Sequence, residues 1–235
     1  MQKNQLPLIV LFITLFSAIP LRSSAQPDES KLGAWYMYFW NTEFKKNNFG
    51  FQGDVQYRNW NIMGDLEQLM LRGGVTYQPK ETPLKFTLGY AYIPSGEYAS
   101  NEFSSFEHRV YQEALWTHLI GKRVHLAHRF RYEQRFIPDQ RLRTRYRYGL
   151  FVNVPFNKET LTKGAVYLAL YNELFINGQR NIGNNQQVEI FDRNRLYGAV
   201  GYGITDNIRM QMGWMLQTTD SWEKQQLQLS LHHKI

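Results

Sequence analysis

Two segments near the end of this chain, Ile208 to Gln217 and Leu227 to Ile235, alternate apolar and polar side chains with hardly an exception. Ile208, Met210, Met212, Trp214 and Leu216 fall on one parity, and Arg209, Gln211, Gly213 and Gln217 on the other. Leu227, Leu229 and Leu231 alternate in the same way with Gln226, Gln228, Ser230 and His232. A period of two is the signature of an extended strand with one oily and one wet face. The question for the whole fold is what covers the oily face.

The other end of the chain points to lipid. Lys3 supplies a positive start, Leu6 to Ile19 an apolar run, and Ser23, Ser24 and Ala25 a small-residue cleavage site, so residues 1–25 read as a cleaved signal peptide. The apolar run is shorter than the roughly 20 residues of a spanning helix and ends at Pro20. Residues 26–235 then form the mature chain, without a second long apolar stretch and without cysteine, so no disulfide enters the fold. An exported chain of amphipathic strands is expected in the outer membrane of a diderm bacterium, with outer-membrane lipid and the barrel-insertion machinery as its partners.

Removing Lys3 and Arg22 with the signal leaves 25 basic and 20 acidic residues, a formal charge of +5 in place of +7. Most arginines alternate with aromatic residues inside strand-like segments and do not gather on one patch, which speaks against nucleic acid. A negative mean hydropathy does not exclude the membrane, because a barrel turns only alternate residues to lipid. Fifteen tyrosines, fifteen phenylalanines and six tryptophans suit strands and the aromatic girdles of such barrels.

Turn signals divide the mature chain into eleven strand candidates, 32–40, 49–60, 66–77, 84–92, 106–118, 123–136, 141–154, 164–176, 191–203, 208–218 and 225–234. Most are long enough for the roughly 9–11 residues that a tilted strand needs to cross a bilayer. The expected fold is all-β, a single antiparallel transmembrane β-barrel of 10 to 12 strands. Bacterial barrels have even strand numbers, so either 32–40 lies outside the wall, leaving ten, or a twelfth strand is hidden. Connections at 120–122 and 205–207 are tight, while Pro94 to Ser105 and Asn177 to Ile190 are long, as periplasmic turns and outer loops would be.

The arginines fix the register. Arg141, Arg143, Arg145 and Arg147 stand in file opposite Leu142, Thr144, Tyr146, Tyr148 and Leu150, and Arg129, Arg131, Glu133 and Arg135 share a face on the preceding segment. An arginine on the lipid face near the midplane costs about 2–4 kcal/mol, so these files point to the lumen. Arg109, Arg193 and Arg195 join them there by parity, with Glu107, Glu113, Glu133 and Glu173 as acidic partners. Two uses of this interior stay open: an ion-pair network that packs the barrel shut, or a binding site or narrow channel for a small anionic solute, suggested by the excess of arginine over acid.

Catalytic chemistry is sparse. His125 and His128 are three apart and His232 and His233 adjacent, which on strands sends each pair to opposite faces. Ser104 and Ser105 near His108 are the best nucleophile and base available, and ordinary loop serines explain them as well. No metal-ligand set, cofactor motif or catalytic residue is assigned, and an enzyme is not supported. A membrane-embedded lipid-modifying or lipid-binding barrel and a secreted soluble lipocalin-like barrel remain as alternatives, the second with its oily positions turned inward.

Taken together, Leu32-Gly-Ala-Trp-Tyr-Met-Tyr-Phe39, Gln56-Tyr-Arg-Asn59, Asp65-Leu-Glu-Gln-Leu69, Glu107-His-Arg-Val-Tyr111, His128-Arg-Phe-Arg-Tyr-Glu-Gln-Arg-Phe136, Arg143-Thr-Arg-Tyr-Arg147, Tyr171-Asn-Glu173 and Phe191-Asp-Arg-Asn-Arg-Leu-Tyr197 resemble the family known as domain of unknown function 2490. The resemblance spans nearly the whole mature chain. It implies a secreted outer-membrane barrel and carries no catalytic residue with it.

Overall fold

The computed structural model describes residues 32–44, 47–97 and 102–235, so the signal peptide expected at 1–25 lies outside them. Eleven long strands form a closed wall: β1 (Gly33–Glu43), β2 (Phe49–Asn59), β3 (Leu66–Tyr77), β4 (Leu84–Gly96), β5 (Phe103–Ile120), β6 (Val124–Phe136), β7 (Arg143–Pro155), β8 (Val166–Asn177), β11 (Phe191–Gly203), β12 (Ile208–Thr218) and β13 (Glu223–Lys234). Two short strands, β9 (Asn181–Gly183) and β10 (Gln186–Gln187), make a hairpin inside the β8–β11 connection. Asn184 and Asn185 both hold positive φ, 48° and 57°, as the two central residues of a tight hairpin turn require.

Every sequential wall pair is antiparallel, and the wall closes by pairing β1 with β13 in parallel, from Gly33 opposite Gln226 to Asn41 opposite Lys234. The expectation of an even number is therefore corrected. All eleven candidate segments are wall strands, and 32–40 is the first of them. In an up-and-down meander an odd count leaves the first and last strands running the same way, so only a parallel seam can close the sheet. It also puts the start of β1 and the end of β13 at opposite rims, called here the N-terminal and C-terminal rims. The connections at 121–123 and 204–207 lie at the C-terminal rim and the β8–β11 connection at the N-terminal rim.

Part of one expected loop is strand. Pro94 pairs with Phe106 and Ser95 with Ser105, so β4 and β5 extend past the wall's edge and shorten the loop between them. The β9–β10 hairpin is likewise held, since Arg141 N donates to Ile182 O at 2.8 Å and Asn184 Nδ2 to Asp139 O at 2.7 Å.

The pleat sorts the side chains as the arginine files demand. Arg131, Arg145 and Arg147 are buried inside, while Phe130, Tyr146, Leu142, Met212 and Leu229 are exposed on the outside. This disposition counts against a soluble lipocalin-like barrel, whose oily face would turn inward. The interior is narrowed by aromatic rings laid across facing glycines: Tyr111 over Gly89 and Tyr167 over Gly201, partners in the ladder. A Cβ at either glycine would fall inside the tyrosine ring. Tyr167 is 0 % exposed as a result.

That packing predicts opposite outcomes for two chemically identical substitutions. Gly201→Ala should destabilise the barrel by about 1–3 kcal/mol through overpacking, whereas Gly73→Ala, where a Cβ meets nothing within 4 Å, should be tolerated. Thermal unfolding of the two variants in the same detergent checks the contrast.

Candidate functional site

Strands β5, β6 and β8 place four carboxylates inside, and their own and neighbouring strands, β7 above all, bring guanidiniums to them. Glu107 is clamped by Arg109 on its own strand and by Arg135 across the ladder, the latter at 2.6 and 2.9 Å. Glu113 takes Arg131, whose Nε donates at 2.7 Å, together with Gln52 at 3.0 Å. Glu133 accepts from Arg145 at 2.9 and 2.6 Å and from Arg147 at 2.6 Å. Glu173 accepts from Arg147 at 2.9 and 2.6 Å and from Arg129 at 2.7 Å. A guanidinium presents five donors in a rigid fork, so one arginine can bridge two carboxylates, as Arg147 does between Glu133 and Glu173.

The remaining sequence candidates sit differently. Arg143 is half-buried at the N-terminal rim and donates to Gln140 at 3.3 Å. Arg193 donates to Asp192, which also receives Arg145 Nη1 at 2.7 Å. Asp192 has the wrong parity to be read as interior, and it arrives there because the β8–β11 register shifts between Phe191 and Arg193. Arg195 is buried but has no carboxylate within ion-pair distance among the described residues. Its Nε donates to Gln217 at 2.7 Å and its guanidinium lies over Trp35 and Phe175, 4.8 and 4.7 Å from the ring centroids.

Sequence reasoning passed over the opposite wall. Arg58 of β2 lies 3.9 Å over the Trp35 ring and bonds only neutral acceptors, Gln56, Gln68 and the Met70 sulfur. Arg72 donates to Asp54 at 2.8 Å. The period-two spacing of Gln56, Arg58, Met70 and Arg72 carried the signal, though these strands lack the arginine files that announce β6 and β7.

Between these walls lies a cavity of about 300 Å³. Six arginines line it, Arg58, Arg72, Arg129, Arg147, Arg195 and Arg209, against one carboxylate, Glu173. Trp35, Phe151, Tyr171 and Tyr197 supply flat apolar walls. A second cavity of about 220 Å³ shares Phe39, Arg72, Arg129 and Phe151 with it and continues past Asn41 and Leu115 toward the C-terminal rim.

The described interior is closely packed toward the N-terminal rim. Ile93, Glu107, Arg109, Phe175, Lys224 and Gln226, all in the half next to the N-terminal rim, are at least nine-tenths buried, with Ile93 and Gln226 at 0 % exposure. Toward the C-terminal rim the inward positions Leu115, Ala127, Asn153 and Gln211 are only half-buried.

Charge is segregated between the rims. Among the described residues the N-terminal rim carries Asp65, Glu97, Glu102, Asp139, Glu189, Asp220 and Glu223 against Arg141, Arg143 and Arg180. The C-terminal rim carries Lys80, Lys85, Lys122, Arg123, Lys158, Lys163, Arg209 and Lys234 against Glu43, Glu81, Glu159 and Asp206. A basic mouth over an arginine-lined interior raises the local concentration of anions and repels cations.

Ser104 and His108 do not pair, whereas Ser230 Oγ and His232 Nε2, both lining the cavity, lie 3.0 Å apart. His108 faces outward and shares a hydrogen bond with the Tyr90 hydroxyl, while Ser104 Oγ donates to Ser95 O at 3.3 Å. His125 bonds Glu159 O inside the C-terminal rim, and His128 bonds the Tyr148 hydroxyl outside.

Removing one carboxylate from a shared buried pair leaves its guanidiniums uncompensated, a loss of roughly 3–5 kcal/mol. Glu133→Gln, which takes from Arg145 and Arg147 one of the two carboxylates each holds, should therefore lower the unfolding midpoint in detergent far more than Glu189→Gln at the exposed N-terminal rim.

No curated protein and no solved structure matches the chain. A family model described as "Protein of unknown function (DUF2490)" matches residues 32–228. The chain therefore belongs to the DUF2490 family.

Proposed function

We propose that this protein is an outer-membrane β-barrel that binds a small anion in a cup open at one rim, and that it is not a conducting pore. The observation that carries the membrane half of this reading is the chemistry of the outer wall. Between the rims, the outward positions of the described strands carry no Asp, Glu, Lys or Arg. Five pairs of polar groups that face outward are mated across strands: Asn172 with Asn194 at 2.8 and 3.2 Å, His128 with Tyr148 at 2.9 Å, Tyr38 with His233 at 2.9 Å, Tyr90 with His108, and Gln112 with Gln134 at 3.4 Å. Water would satisfy such groups without help, whereas hydrocarbon leaves an unmated one several kcal/mol worse off, so mating is what a lipid-facing wall requires.

Exposed aromatics add a second support. Tyr36, Tyr57, Phe106 and Phe136 stand outward near the N-terminal rim, and Phe49, Tyr77, Phe86, Trp116 and Tyr202 near the C-terminal rim, as two interfacial girdles would. Strands of 11 to 18 residues exceed the roughly 9–11 that a tilted crossing takes. With tight turns facing the periplasm, the C-terminal rim and the mouth of the cup open there. The anion half rests on the six guanidiniums and one carboxylate around the cavity, and the closely packed N-terminal half argues for binding over conduction.

Two measurements test the reading. The chain has no cysteine, so Asp139→Cys and Lys163→Cys report the two rims cleanly. An impermeant maleimide should label the first in intact cells and the second only after the outer membrane is permeabilised. Purified protein in planar bilayers should give no sustained current; a steady anion-selective conductance would put a channel in place of the cup.

A further inference from the structure

Resting on the anion-binding reading, we propose that the ligand of the cup is a small organic acid with a flat apolar body. Its carboxylate is held by Arg195 and Tyr197, and its body lies among the aromatic rings.

Two unsatisfied groups of β11 converge on the cavity. Arg195 and Tyr197 are two residues apart on the inner face, and both line it. Arg195 spends only Nε on a protein acceptor, so the terminal nitrogens of its fork have no hydrogen-bond partner among the described residues. The Tyr197 hydroxyl is fully buried and has no partner either, in a residue that is 3 % exposed. An unmated buried donor is destabilising, so a phenol left this way beside a cavity calls for an acceptor from outside the chain. Arg58, also buried there, has neutral acceptors only. A guanidinium fork and a phenol O–H are the donors a carboxylate takes.

The remainder of the cavity defines the body. A volume of about 300 Å³ is far more than a bare inorganic anion fills and stands at the lower end of small-molecule sites. Tyr171 and Tyr197 are stacked, with centroids 4.6 Å apart and planes at 23°, and Trp35 and Phe151 face the same space. Such walls accept a ring by offset stacking. Phosphate alone would leave them wet, and a neutral aromatic would leave the guanidiniums without a counter-charge.

Calorimetric titration of the detergent-purified full chain with benzoate, benzamide and inorganic phosphate tests this. Benzoate should bind at least tenfold more tightly than either of the others. Arg195→Gln should weaken benzoate by about 10-fold or more and Tyr197→Phe by several-fold, while Arg180→Gln on the outer hairpin should change nothing. Heat-modifiable gel mobility reports that each variant is folded; if Arg195→Gln does not insert, Tyr197→Phe decides alone. Phosphate binding as tight as benzoate, and sensitive to Arg195, overturns the organic-acid assignment and leaves anion binding standing. Benzamide binding equal to benzoate, or benzoate binding indifferent to both variants, overturns the assignment to these residues. Failure of both anions to bind the unaltered protein overturns the anion-binding reading itself.

Discussion

A guanidinium shut inside a narrow barrel has to find its acceptor within the wall, because burial in the packed half removes the water that would otherwise serve. Strands β5 to β8 meet this requirement with four carboxylates, three of them hydrogen-bonded by two arginines and Glu113 by Arg131 with Arg129 at 3.9 Å. The sharing works because arginine is planar and many-donored; a lysine at position 147 could not reach Glu133 and Glu173 together in bidentate fashion. It also locks the sheet, for a slip of one residue on β7 would carry Arg145 and Arg147 outward and pull both carboxylates' partners away. Register, interior and outer wall are therefore one constraint seen from three sides.

The odd strand count follows from the same wall. With β1 included, Trp35 enters the lumen and covers Arg58 and Arg195, which a ten-strand wall without β1 would leave bare. Closure by a parallel seam sacrifices some ladder stability per residue, yet leaves no free edge on either strand. Its geometric outcome is that the two chain directions, and the two rims, are inequivalent. Acidic side chains gather at the rim where β1 starts and basic ones at the rim where β13 ends, so the fold has a polarity that an even barrel with both termini together need not have.

Most of the wall could be read from parity. The eleven candidate segments coincide with the eleven wall strands to within a few residues, because each is long and punctuated by Gly, Pro or Asn turns. The count went astray only where a general rule was set above that reading. Local disruptions of parity were the other losses: Asp192 is turned inward by a register shift, and Ser95 pairs with Ser105 where a loop was expected. The cavity is legible in the sequence at Arg129, Arg147, Glu173 and Arg195, which fall on interior parity. Trp35 and Arg58 come from β1 and β2, Tyr197 and Arg209 from β11 and β12 at the far end of the chain, and no spacing within a strand reveals that they meet.

The boundary between packed network and cavity is also the boundary at which acid runs out. On the β2, β12 and β13 side the interior uses glutamine freely, at Gln56, Gln211, Gln217, Gln226 and Gln228, and Gln226 and Gln228 are almost completely buried. A wall selected for packing alone could have placed a further neutral amide at 58, 195 and 209 and avoided three uncompensated charges in a region of reduced dielectric. Keeping arginine at those positions, beside an unmated tyrosine and an unfilled volume, breaks the rule that buried charge is paired. Departures of this kind, gathered at one concave place, are what the proposed anion site would require, since a binding site gives up some stability for its ligand.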